Sequence, residues 1–300
     1  MIFCNYVNQE HMDFGLQLYT LRDVIMDNPE EIIRKVAGSG YSHIESFEGP
    51  SGMYWGMGST GFRTFLDELG VAMVSSHADV FRDFEKKADE AAEIGVRYLV
   101  CPWILDRIGD PADLDAFRRM ADEFNRLGRI AKKAGIGFAY HNHAYSFRQI
   151  DGEIPQKVLM DNTDPVLVSF QMDIYWVVAA GQDPVEWITA YPDRFTSSHV
   201  KDGQFRDDGY AGGEREGVDA GRPGGKRVDV NAGGAGDHGV DMESVVLGTG
   251  IIDYPRILRL AKEKGMKYFI VEQEAYTGTT PMDAVKANAA YMKGLRMQKE

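Results

Sequence analysis

Eight short apolar runs alternate with helix-like segments from one end of this chain to the other, and that rhythm leaves few folds open. The runs are Phe14–Leu18, His43–Phe47, Ala72–His77, Tyr98–Pro102, then 137–143, 168–173, 195–199 and 268–274. The helices between them carry repeated start signals, Asn28-Pro29, Asp110-Pro111, Asp183-Pro184 and Thr280-Pro281. In each pair a polar side chain can cap free backbone N–H groups, and proline fits the first helical position. Glycines close several helices just before the next strand, as in A-G-S-G-Y at 37–41 and K-K-A-G-I at 132–136. Eight β-then-α units in 300 residues, with no shift of composition to mark a boundary, predict an α/β fold of one domain over 1–300, a closed (β/α)8 TIM barrel. An open doubly wound sheet is the runner-up.

One segment breaks the rhythm. Twelve glycines fall between Gly203 and Gly239, amid mixed charges, within a loop insertion expected over 203–247 after the seventh strand. That position is on the barrel face where such enzymes keep their active sites. A surface excursion and a lid over the site are both open, as is a subunit contact in a homo-oligomer.

The last four runs end in residues that can hold a metal: His141 and His143, Asp173, His199, and Glu272 and Glu274. Side chains alternate along a strand, so Asp173 shares a face with Gln171 and Ser169 while Met172, Phe170 and Val168 face the other way. A lone strand-end aspartate more often caps the next loop. Four candidates on consecutive strands favour ligation instead. Nitrogen and oxygen donors without cysteine suit one divalent ion, Mn²⁺, Mg²⁺, Co²⁺ or Zn²⁺. The expected ligands are Asp173, His199, Glu272 and a histidine of the fifth strand, with His143 preferred over His141 because it lies nearer the strand end.

Two carboxylates at one mouth can divide the work between metal and base. Glu272 and Glu274 are therefore candidate bases, with His141 or Lys201 handling a second proton. Lys201 shares the face of His199; a surface lysine after a strand would read the same way. Glu45, His77, Trp103, Tyr175 and Trp176 are expected to line the substrate pocket, with Tyr19, Arg22 and Tyr145 as further wall candidates. For the aromatics, ordinary packing reads equally well. L-G-T-G at 247–250 offers backbone N–H groups that could meet a phosphate.

Composition removes other classes. A formal charge of -13 disfavours a nucleic-acid partner. Cys4 and Cys101 are too few and too far apart for a disulfide scaffold or zinc knuckle. No stretch approaches the ~20 apolar residues of a membrane span. Met1 to Asp13 has no basic start and no long apolar stretch, so a cytoplasmic protein is expected, although a chain trimmed of a leader would read the same.

Taken together, the residues resemble the sugar phosphate isomerase/epimerase family of xylose isomerase-like TIM barrels. The likeness runs from G-L-Q-L-Y-T-L-R-D at 15–23 to the last strand, and its most specific parts are G-Y-S-H-I-E at 40–45, Y-H-N-H at 140–143, Q-M-D-I-Y-W at 171–176, H-V-K-D at 199–202, G-T-G-I-I-D at 248–253 and V-E-Q-E at 271–274. The resemblance implies a single divalent metal at the ends of strands five to eight, with Asp173, His199 and Glu272 on three ligand positions. It also implies a sugar or keto-sugar substrate and proton abstraction beside a carbonyl through a metal-stabilised ene-diolate. The chain departs at strand five, where many members carry a glutamate and this sequence has Y-H-N-H, with Ser146 where relatives of that pattern often show glutamate. Isomerisation or epimerisation is the expectation. Elimination across a 3-keto sugar or inosose is the alternative, and a sugar-binding barrel without turnover the third. The related three-metal endonuclease type needs histidines that Trp176 and Trp103 replace.

Overall fold

A computed structural model of the chain describes residues 12–205 and 242–295. The eight runs form β1 (Gly15–Gln17), β2 (His43–Phe47), β3 (Ala72–His77), β4 (Tyr98–Cys101), β5 (Gly137–His141), β6 (Val168–Asp173), β7 (Phe195–Val200) and, after a ribbon of β8 (Asp202–Phe205) and β9 (Met242–Val245), β10 (Tyr268–Val271). The barrel closes in the order β1-β10-β7-β6-β5-β4-β3-β2. Its seam is parallel, with Gly15 opposite Ile270 and Leu16 opposite Val271. This is the (β/α)8 barrel, with one pairing expected from the repeat and one ribbon that was not.

The pleat sorts the side chains of each strand. Leu16, Ile44, Phe138, Tyr140, Phe170, Met172 and Phe269 are buried in the layer shared with the helices. Gln17, Glu45, Ser75 and Gln171 turn inward and hydrogen-bond one another. Each large apolar side chain in the outer layer contributes roughly 1.5–3 kcal/mol, against about 1 kcal/mol net for a neutral hydrogen bond. The outer layer therefore holds the fold, and the interior is free to carry polar chemistry.

Three of the four helix starts form as expected. Asn28 accepts from Glu31 N, Asp183 from Val185 N and Thr280 from Asp283 N, each with proline in the first turn. Asp110-Pro111 instead makes a turn in which Asp110 Oδ1 accepts from Ala112 N, and the helix Leu114–Ala134 starts behind Asp113. Two strands also stop early, at His141 and Val271, so His143, Glu272 and Glu274 stand on the loops just beyond them.

The ribbon corrects the reading of 203–247 as loop throughout. Asp202 pairs with Val245 and Phe205 with Met242, so the insertion leaves and returns as two antiparallel strands. Gly203 packs where a Cβ would collide with the Tyr175 ring, which accounts for glycine there. The remainder of the proposed lid, 206–241, and Cys4 lie outside the described residues. Cys101 is a buried free thiol. Among the described residues no helix is long and apolar enough to cross a membrane.

Candidate metal centre and active site

Asp173 ends β6 and does two jobs. Its Oδ1 accepts from Trp176 N at 3.2 Å, capping the helix Ile174–Ala179. Asn142 holds its backbone from the other side, accepting from Asp173 N and donating to Asp173 O, both at 3.2 Å. Oδ2 is left pointing into the barrel, buried and without a hydrogen bond. Lys201 Nζ comes within 2.8 Å of it, an ion pair off the direction a hydrogen bond needs. The capping and ligand readings of Asp173 thus divide between its two oxygens.

Facing it in register on β7 is His199. Its Nδ1 lies 3.1 Å from Glu272 Oε2 and 4.0 Å from Asp173 Oδ2, while Nε2 donates to Glu45 Oε1 at 2.5 Å. On β5, His141 Nε2 faces Asp173 Oδ2 at 3.9 Å, and its Nδ1 is 2.9 Å from Gln171 Oε1. Lys201, 1% exposed, reaches Glu272 Oε2 at 3.0 Å and Glu274 Oε2 at 2.7 Å. Its peptide is clamped by the Tyr254 hydroxyl, which accepts from Lys201 N at 2.9 Å and donates to Lys201 O at 2.6 Å. The Tyr175 and Trp176 rings cover the ammonium at 5.1 and 4.9 Å.

Charge in this cluster is decided by neighbours against burial. Burial alone would neutralise His199, but Glu272 and Glu45 outweigh it and raise the imidazolium to about 10. Burial opposes the ammonium of Lys201 too, and Asp173, Glu272 and Glu274 hold it well above its ordinary value. Glu272 is kept well below the carboxylate range by Lys201 and His199 despite burial. Glu45 likewise, by His77 and His199. Asp173 and Glu274 are pushed up by burial, with Lys201 opposing the shift. For His141 and His143 burial wins outright and both stay neutral, well below the usual histidine value.

The donor set fits a divalent cation. One ligand atom each from Asp173, His199 and Glu272 lies within 4.8 Å of the others. Their oxygens and imidazole nitrogen are the chemistry that Mg²⁺, Mn²⁺, Co²⁺ or Zn²⁺ take. Oδ2 of Asp173, which accepts no well-directed hydrogen bond and has the Lys201 ammonium at 2.8 Å, is the buried oxygen such an ion would share with that lysine. Around the cluster, Tyr19, Phe47, His77, Pro102, His141, His143, Lys201, Glu272 and Glu274 line an enclosed space of about 20 Å³. That is room for one water-sized occupant. A larger hollow of about 390 Å³ between the helices Pro29–Gly38 and Pro281–Gly294 is lined by Lys35, Ser39, Lys286 and Lys293, with no carboxylate, histidine or cysteine among its lining residues. The chemistry sits in the smaller space.

Residues 33–300 match the model of the xylose isomerase-like TIM barrel. The chain belongs to that family. A sugar phosphate isomerase/epimerase from Parabacteroides distasonis superposes with a TM-score of 0.71 at 27% identity, covering 96% of this chain and 95% of that one. A xylose isomerase-like TIM barrel protein from Mycobacterium smegmatis, in complex with magnesium, shares the fold at 15% identity with a TM-score of 0.60, covering 94% and 96% of the two chains. An inosose dehydratase from Bacillus cereus (strain AH820) is 28% identical over 155 residues, which is 48% of this chain and 49% of that protein. Matches to this and another inosose dehydratase of Bacillus cereus span 29% to 49% of those proteins' length.

Other expected site residues sort themselves by depth. His77 lines the space. Glu45 is no wall, being fully enclosed beneath His199. His143 lines the same space, stacked on Tyr145 at 5.8 Å with the Trp103 ring edge-on at 5.2 Å and its Nδ1 buried without a hydrogen-bond partner, while His141 Nε2 faces Asp173 Oδ2 at 3.9 Å. Tyr175 also donates to Met242 O at 2.7 Å, fastening the ribbon to the mouth. Arg22 spends its donors on the carbonyls of Tyr19 and Glu274. The phosphate cradle suggested by L-G-T-G is already filled: Gly248 N and Gly250 N donate to Asp202 Oδ2, and Gly203 N and Ile252 N to Oδ1. Gln17 and Gln171 lie in quoted motifs that gave them no role, and Ser75, Phe47 and Tyr254 lie outside those motifs. Four of them were within reach of the alternation rule, as inward-parity residues of β1, β2, β3 and β6.

Proposed function

We propose that this chain is a divalent-metal-dependent enzyme that removes a proton from the carbon next to a carbonyl of a sugar or keto-sugar, an isomerase or epimerase by class. One observation carries the reading. Asp173 Oδ2, His199 Nδ1 and Glu272 Oε2 converge on one buried point, with the carboxylate of Glu274 and the ammonium of Lys201 standing beside it. His141 is the fourth ligand in this proposal: its Nε2 faces Asp173 Oδ2 at 3.9 Å, and it forms a second close group of donors with His77 and the shared His199. The bound cation would supply Lewis-acid polarisation of the substrate carbonyl.

The chain's own groups handle the proton. Glu272 gives its oxygen to the cation, which leaves Glu274, nearer the rim, as the base that takes the proton on its carboxylate. Lys201 Nζ already contacts Glu274 at 2.7 Å and is placed to donate a hydrogen bond where negative charge develops on a substrate oxygen. Burial of that ammonium under Tyr175 and Trp176 keeps competing water away.

A second reading, dehydration, is favoured by what faces Glu274. Besides Lys201 and Tyr19, the other titratable lining residues are His77, His141 and His143, with no carboxylate among the described ones except Glu272 and Glu274. A single carboxyl can return its proton to a departing β-hydroxyl: the C–H electron pair becomes the new double bond, and the hydroxyl leaves as water. The likeness to inosose dehydratases supports this version. Incubating sugars, inososes and 3-keto-glycosides with the enzyme and Mn²⁺ in deuterated buffer separates the two. Deuterium in a product of otherwise unchanged mass supports isomerisation or epimerisation; loss of water supports dehydration. Tight binding without exchange under any metal would leave a sugar-binding barrel instead.

A further inference from the structure

We propose that Glu45 and Gln171 are positioning residues that fix which ring nitrogen of His199 and of His141 is left to bind the cation. The inference rests on the metal reading above and concerns residues that touch neither metal nor substrate.

The starting point is a carboxylate with every position occupied. Glu45 is fully buried, and its Oε1 receives Gln17 Nε2 at 2.7 Å and His199 Nε2 at 2.5 Å, with His77 Nε2 at 3.2 Å. Its Oε2 receives Ser75 Oγ at 2.6 Å and Gln171 Nε2 at 2.7 Å. An ionised carboxylate only accepts. The Gln171 amide must therefore turn its NH₂ toward Glu45 and its oxygen away. That oxygen meets His77 Nε2 at 2.8 Å and His141 Nδ1 at 2.9 Å. An amide oxygen cannot donate either, so His141 carries a proton on Nδ1 and keeps its lone pair on Nε2. Nε2 is the atom that faces Asp173 Oδ2.

His199 meets the carboxylate directly. Its Nε2 can only donate to Glu45, so the nitrogen able to shed a proton and bind a cation is Nδ1, the one beside Asp173 and Glu272. The two histidines thus offer opposite ring atoms, Nε2 from β5 and Nδ1 from β7, to one point. Strand geometry alone does not dictate that difference, whereas one acceptor-only carboxylate with an amide attached does. His77 is consumed by the same network as a donor. A carboxylate or carbonyl behind a ligating histidine tunes metal affinity by about 10- to 100-fold.

The test reads tautomers as well as binding. Nitrogen-15 NMR of the histidine-labelled, metal-free protein should show His141 protonated on Nδ1, the signal being assigned by its loss in His141→Gln. Gln171→Leu should blur that preference and weaken Mn²⁺ binding, measured by calorimetry, about 10- to 100-fold, while Asp173→Ala should lose stoichiometric Mn²⁺ altogether. A proton on Nε2 of His141 in the wild-type protein would overturn the inference, and this measurement stands even if Gln171→Leu does not fold. So would a folded Gln171→Leu that binds Mn²⁺ like wild type while Asp173→Ala does not bind it. Full Mn²⁺ content in Asp173→Ala would instead remove the metal reading, and the wild-type tautomer would still decide this one.

Discussion

His43 and His199 are both buried in the same barrel, at opposite ends, and the surroundings leave the first neutral and the second charged. His43 opens β2 beside Gly15 and packs edge-on to Tyr268 at 5.8 Å. Its Nδ1 meets the Ser42 hydroxyl at 3.0 Å, and its Nε2 has no hydrogen-bond partner. Burial dominates there and pushes the ring down to about 4, with Asp13 and Glu45 opposing only in part. His199 is more deeply buried still, yet Glu272 and Glu45 raise it to about 10. Burial therefore does not set charge by itself. Asp173, Glu272 and Glu274 stand at strand ends and on the following loops with Glu45 of β2 beneath them, so one end of the barrel is a dense charge cluster and the other, at His43, a neutral packed floor.

The largest effect should come from removing the cation that binds the upper cluster together. Lys201→Met leaves Asp173, Glu272 and Glu274 facing one another in a buried space, and should cost about 3–5 kcal/mol in urea unfolding. Added Mn²⁺ should recover part of that loss, because an ion on the same oxygens replaces the charge. No recovery would mean that the cluster serves Lys201 and no metal.

The floor should show its character in pH. His43 is depressed in the folded state, so its contribution is fully present above the unfolded value of 6.5 and is lost as pH falls toward about 4. The loss is on the order of 3 kcal/mol across that window. Urea midpoints at pH 7 and pH 5 should separate clearly for wild type and by a smaller margin for His43→Leu, in which the depressed His141 and His143 keep part of the separation. Equal separation in both proteins would place the acid sensitivity elsewhere.

A smaller effect tests how tightly that floor is packed. A Cβ at Gly15 would collide with the His43 ring and crowd its carbonyl. Gly15→Ala should cost about 1–3 kcal/mol by overpacking, with metal content unchanged, since the strain lies at the far end from Asp173 and Glu272. Metal loss in a folded Gly15→Ala would show that the two ends are mechanically linked.

The same contrast explains what could be read from residues alone. Periodicity and caps revealed the barrel, because a period of two and a glycine stop report local backbone preference. Parity also put Asp173, His199 and Glu272 on the inner side. Depth is a different quantity. Nothing in H-V-K-D distinguishes an exposed Lys201 from one 1% exposed, and burial depends on Tyr175 and Trp176 folding over it from the helix Ile174–Ala179. Strand ends shift by a few residues: the fifth strand stops at His141, which leaves His143 on the loop beyond it and removes the ground for preferring it as the strand-end ligand. The glycines of L-G-T-G looked like an anion cradle, and they are one, but the anion is Asp202 from the same chain. At Gly250 a Cβ would collide with that carboxylate, so the glycine is explained by a close approach and not by a ligand.

The most direct test of the account is the anomalous scattering of Mn²⁺ in crystals of the protein. The account predicts a single buried ion touching Asp173 Oδ2, His199 Nδ1, Glu272 Oε2 and His141 Nε2, with Lys201 still paired to Glu274. An ion bound elsewhere, or no ion within the barrel at saturating Mn²⁺, would contradict it.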